Sequence, residues 1–113
     1  MFIDNEERNG TGYFEFQFCK NSFVETFSTR KYWKSDSIYI YEDDFEKNAD
    51  FFHNIFKKLN YDFDFFGTNY FDKKTSKELL EIINRIKNSD LDKLKSFLKV
   101  AIEKYNGFYL IGI

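Results

Sequence analysis

The sequence predicts an α+β domain: a largely antiparallel β-sheet with about three α-helices packed mainly on one face. Three observations predict it. Phe14, Phe16 and Phe18 alternate with Glu15 and Gln17, the period-two pattern of a half-buried strand. Apolar residues then recur at helical spacing in three stretches between Phe45 and Ile102. Finally, Asn106-Gly107, a helix stop, is followed by the apolar run Phe108-Tyr109-Leu110-Ile111-Gly112-Ile113, which reads as a strand.

Taken in order, residues 1–11 are mostly polar or charged and are expected to be loosely ordered. The first strand starts at Tyr13. Asn21-Ser22 turns the chain into a second aromatic segment, Phe23 to Phe27, and Ile38 and Ile40 alternate with Tyr39 and Tyr41 in a third strand over Ser37–Tyr41. These three form an antiparallel meander. Asp43 or Asp44 caps one helix carrying Phe45, Phe52, Ile55, Phe56 and Leu59, which Asn60-Tyr61 closes. Aromatic residues alternate with Asp62 and Asp64 over Tyr61–Phe66, and Gly67-Thr68 turns into the short run Asn69-Tyr70-Phe71. Thr75 or Ser76 caps the second helix, with Leu79, Leu80, Ile83 and Ile86 as its stripe. Ser89 or Asp90 starts the third, which buries Leu91, Leu94, Leu98, Ala101 and Ile102.

At 113 residues, with no linker or internal repeat, the chain is expected to form a single domain over 1–113. A hydrophobic share of 42% excludes intrinsic disorder, and the absence of proline excludes a polyproline ligand. Phe, Lys, Asn, Ile and Tyr are residues of A/T-rich codons, so the 16 Phe and 8 Tyr predict a bulky core before they predict a ring-stacking site. The acidic start, Asp4 to Glu7, lacks the pattern of a secretory signal, and no apolar run reaches membrane-spanning length. A cytoplasmic protein without membrane association is expected.

Catalytic signals are sparse. His53 is the only histidine and Cys19 the only cysteine, which excludes a histidine-rich zinc site and an internal disulfide. Both read as ordinary structural residues. The glycines form neither GxGxxG nor a P-loop, and the carboxylates show no two-metal signature. No enzyme, cofactor, metal or small-molecule substrate is expected. An enzyme would require a pocket in which carboxylates converge on His53.

Charge is unevenly distributed. The net charge is −2, but residues 36–72 carry nine acids and three bases, whereas residues 73–113 carry nine bases and five acids. The basic residues of the last third are interspersed with acids, as on a solvated helix face, and no nucleic-acid partner is expected. RNA binding through that side remains an alternative, which absence of affinity for mixed RNA would remove. The acidic middle, studded with tyrosines, has the composition of a surface that meets a basic protein. Tyr39, Tyr41, Glu42, Asp43, Asp44, Glu46, Asp62 and Asp64 are the candidate partner-binding residues. For Asp43 and Asp44, complementing a helix N-terminus is the competing structural role.

From about Trp33 onward, three segments carry a resemblance: Tyr39-Ile40-Tyr41-Glu42-Asp43-Asp44-Phe45, the stretch Tyr61 to Phe71 with its Gly67 turn, and Ala101 to Ile113. They resemble small immunity proteins of bacterial polymorphic-toxin and contact-dependent growth inhibition systems. The resemblance implies a cytoplasmic protein that binds one cognate toxin C-terminal domain, in many such systems a nuclease with a basic cleft. It carries no catalytic residue over to this sequence. The alternative is a small non-catalytic adaptor or regulatory module that binds a peptide or protein through an exposed sheet edge.

Overall fold

The computed structural model describes residues 1–21 and 32–112. Among the described residues, five strands form one antiparallel sheet: β1 (Phe2–Asp4), β2 (Tyr13–Phe18), β3 (Ile38–Tyr41), β4 (Thr68–Phe71) and β5 (Phe108–Ile111). Their spatial order is β1-β3-β2-β5-β4. The helices α1 (Glu42–Lys47), α2 (Ala49–Lys58), α3 (Lys73–Asn84) and α4 (Asp92–Glu103) pack on the sheet, giving the predicted α+β fold.

Register explains where the core sits. Phe14 lies opposite Ile40, Phe16 lies opposite Ile38 and Leu110, and Phe71 lies opposite Phe108. Side chains alternate across a strand, so these residues share one face. The helices cover that face with Phe45, Phe52, Ile55, Phe56, Leu79, Ile83, Leu94, Phe97 and Leu98. The aromatic surplus fills this core: Phe45 stacks between Phe14 (4.3 Å) and Phe52 (4.6 Å), and Phe71 stacks on Phe108 at 4.7 Å. Each such ring, fully buried, contributes roughly 2 kcal/mol of transfer free energy.

Gly107 links α4 to β5 at φ +90°, where a Cβ would stand 2.0 Å from the Phe71 carbonyl oxygen. Only glycine accepts both that backbone angle and that approach. The α3 cap is Asp72, whose carboxylate accepts the Thr75 N–H at 2.7 Å.

The structure corrects several expectations. Residues 2–4 are an ordered edge strand, because Phe2 pairs with Ile40 and drops its ring onto Phe16 and Phe52. The first predicted helix is two, broken at Asn48, whose side-chain amide donates to the Asp44 carbonyl at 2.8 Å. Neither Thr75 nor Ser76 caps α3; Ser76 is buried and donates its hydroxyl to the Phe71 carbonyl instead. A 3-10 turn over Ser89–Leu91 precedes α4, so the α-helix starts two residues beyond Asp90. The strand β2 is buried on both faces rather than half-buried, with Glu15 and Gln17 almost wholly enclosed. The predicted strand over 23–27 lies outside the described residues, as do Ser22 of the turn and residue 113.

Candidate partner-binding surface

The acidic block is built on α1. Tyr41 ends β3 in extended conformation, and the next N–H, that of Glu42, donates to the Gly12 carbonyl at 2.9 Å. The helix therefore starts with Glu42, Asp43 and Asp44 at its positive end, where carboxylates are favoured. Phe45 is the one buried residue of α1, and its stacking between Phe14 and Phe52 fixes the helix rotation. Asp43 and Glu46 are consequently exposed, with Glu42 and Asp44 partly so.

The segment between α2 and β4 supplies the second half. It is extended but forms no strand, and its alternation acts through side chains. The Tyr61 ring stacks on Phe71 at 4.2 Å while its hydroxyl donates to the Tyr70 carbonyl at 2.9 Å. Burial pushes that phenol up to about 12. Phe63 stacks on Phe56 at 4.7 Å, and Phe65 meets Phe14 edge-on at 5.1 Å. Asn69 holds the backbone in place: its amide oxygen accepts the Asp64 N–H at 2.7 Å, and its NH2 donates to the Asp64 and Leu110 carbonyls. With residues 61, 63 and 65 turned inward, Asp62 and Asp64 are exposed. The Asp64 carboxylate also accepts the Phe66 N–H at 3.1 Å and closes on Gly67, where a Cβ would stand 2.1 Å from it.

Between α2 and this segment lies an open groove of about 710 Å³. Its floor is Phe45, Phe52 and Phe56, and Tyr61, Phe63 and Phe65 form one wall. Asp50, His53 and Lys57 line the α2 side, and Asp62 the other. The groove therefore does bring His53 into one cavity with two carboxylates. Among the described residues, however, no hydrogen bond or ion pair joins them, and no group of three His, Cys, Asp or Glu side chains could hold a metal ion. Cys19 is buried on the far face of the sheet with Tyr109 and Ile111, so it forms no pair with His53.

Two candidate residues are not where the acidic surface is. Tyr39 has no exposed area, and its hydroxyl donates to the Lys34 carbonyl at 2.7 Å. Burial, and then the Glu15 charge, push its phenol up to about 12. It cannot touch a partner of the folded chain. Tyr41 is 42% exposed but shares Tyr39's sheet face, away from the helices, and packs on Tyr13 with ring centroids 5.2 Å apart. The structure thus places Glu42, Asp43, Asp44 and Glu46 on α1, Asp62 at the groove and Asp64 at the Gly67 turn, and leaves Tyr39 and Tyr41 on the other face of the sheet.

Sequence reasoning missed Phe66 and the groove. Phe66 is 78% exposed at the Gly67 turn, its ring 5.0 Å from that of Phe65. The signal was the Phe65-Phe66 doublet: once 61, 63 and 65 face inward, 66 must face out.

The far face carries a buried carboxylate. Glu15 is 2% exposed; it accepts the Trp33 N–H at 2.8 Å, the Lys34 N–H at 2.9 Å, the Ser37 hydroxyl at 2.7 Å and the Gln17 amide at 3.1 Å. Two successive backbone N–H groups form an anion-binding nest here, with Trp33 in the left-handed region at φ 60°. The Arg8 guanidinium lies 4.2 Å over the Trp33 ring.

Among the described residues, no helix is long and apolar enough to cross a membrane. No protein-family model, curated protein or solved structure matches the chain.

Proposed function

We propose that this chain is an immunity protein, which binds a cognate bacterial toxin domain in the cytoplasm and neutralises it as a stoichiometric complex. One observation carries the reading. Between Glu42 and Asp64 the chain holds seven carboxylates and three lysines, and two of the exposed carboxylates, Asp50 and Asp62, line an open aromatic groove. A surface of this kind favours a basic protein, with charge steering the encounter and apolar contacts holding it. The resemblance at Tyr39–Phe45, Tyr61–Phe71 and Ala101–Ile113 supplies the partner class. The reading requires no catalytic residue, metal, cofactor, membrane or nucleic acid.

The test is co-expression with the C-terminal domain encoded immediately upstream in the source genome. That domain alone should arrest growth, and this chain should restore it and co-purify in a fixed ratio. Replacing Glu42, Asp43 and Asp44 with lysine should slow association by about tenfold or more at low salt, with the loss shrinking as salt rises. A domain that kills whether or not this chain is present removes the immunity reading.

A further inference from the structure

We infer that the aromatic groove is an anchor pocket for a partner segment that carries a large apolar side chain next to lysine or arginine. The inference rests on the protein-binding reading above, but not on the partner being a toxin.

The groove has the build of a hot-spot receptor. Its floor is continuous with the core: Phe45, Phe52 and Phe56 are each less than 10% exposed, held by ring stacking, and pre-organised to receive a guest without rearrangement. Its far wall is pinned by the Asn69 hydrogen bonds and by the Tyr61 hydroxyl, so it is not a loose flap. Ala49, small and exposed, leaves the mouth open on the α2 side.

Charge selects the occupant. Asp50 and Asp62 stand on opposite lips, both exposed, with Lys57 and His53 on the α2 lip. An uncharged apolar ligand would gain nothing from these groups, and an acidic segment would face two carboxylates against one lysine. A cationic residue beside the apolar anchor would meet a carboxylate on either lip. Phe66, beyond the Phe65 wall, extends the apolar contact outside the groove, which fits a segment of a macromolecule better than a small molecule.

The experiment is selection of random peptides displayed on phage against the full chain, followed by binding measurements with the synthetic peptides. His53 lines the groove and is the only histidine, so its imidazole NMR signals report occupancy directly. Enriched peptides should pair Trp, Phe or Leu with an adjacent Lys or Arg and shift those signals. They should bind about tenfold or more weakly to Ala49→Trp, which plugs the mouth. They should also weaken with Asp50→Lys/Asp62→Lys, a second variant at exposed positions in case the first perturbs the fold. No enrichment, enrichment of acidic peptides, or equal binding to both variants overturns the inference. A toxin complex that forms equally well with a folded Ala49→Trp chain also overturns it, while sparing the immunity reading. Peptides that behave as expected, beside an upstream domain that never binds, support the pocket and remove the toxin.

Discussion

Replacing Glu15 with alanine should be among the most damaging single changes on the sheet face away from the helices. The carboxylate accepts four hydrogen bonds of 3.1 Å or less, from the Trp33 and Lys34 backbone, the Ser37 hydroxyl and the Gln17 amide. Alanine leaves those donors without their acceptor at a site where Glu15 and Ser37 are each 2% exposed. Bonds to a charged acceptor contribute about 1.5–3 kcal/mol each, and some donors will recover water. A net loss of about 3–5 kcal/mol follows, or roughly 12–20 °C in Tm at about 4 °C per kcal/mol. Glu15→Gln keeps the size but turns one acceptor into a donor facing donors, and should cost about half as much. Urea unfolding followed by tryptophan fluorescence is the assay, because Trp33 is the only tryptophan and its own N–H is one of the bonds removed. The native emission should shift to the red in both variants as the Arg8–Trp33 stack loosens. A Glu15→Ala protein within about 1 kcal/mol of wild type, with unchanged native emission, would refute the reasoning.

Three further outcomes are expected. Gly107→Ala should lose about 2 kcal/mol or more in chemical denaturation, since φ +90° and the Phe71 carbonyl at 2.0 Å both oppose a Cβ; a neutral result would place the α4–β5 link elsewhere. Tyr39 and Tyr61, both raised from 10 to about 12 mainly by burial, favour the fold only while neutral. Stability should therefore be intact below pH 10 and fall as pH rises towards 12, and a phenolate absorbance titration should show those two lagging the exposed tyrosines. Phe66→Ser should leave the Tm within about 2 °C, because the ring is 78% exposed, yet weaken the partner complex; unchanged affinity would take Phe66 out of the interface.

How much of this was legible in the sequence depended on how far each determinant reaches along the chain. The alternation of Phe14, Phe16 and Phe18 announced the helix-facing side of β2, because period two is local. The fate of Glu15 and Gln17 was not, since burial depends on donors 18 to 22 residues away at Trp33 and Ser37. The break at Asn48 was hidden because Phe45, Phe52, Ile55 and Phe56 keep helical spacing across it. At three residues, β1 is too short to show any period, and only pairing with β3 orders it. At the candidate surface, the carboxylates were readable from charge clustering alone. The groove was not, because its walls come from two separate elements, α2 and the segment that Asn69 and the Gly67 turn hold in place.

The strand order has a consequence for how the chain matures in the cell. Of the described strands β5 comes last in chain order but sits inside the sheet, joining β2 on one side to β4 on the other. Among the described residues, until 108–111 leave the ribosome the β2 edge of the β1-β3-β2 group is open and β4 has no partner strand. The β2–β5 and β4–β5 pairings are long-range and cannot form before residues 108–111 are made, so the nascent chain holds an exposed strand edge until then. Any activity that depends on the folded sheet therefore waits for residues 108–111, which join its two parts.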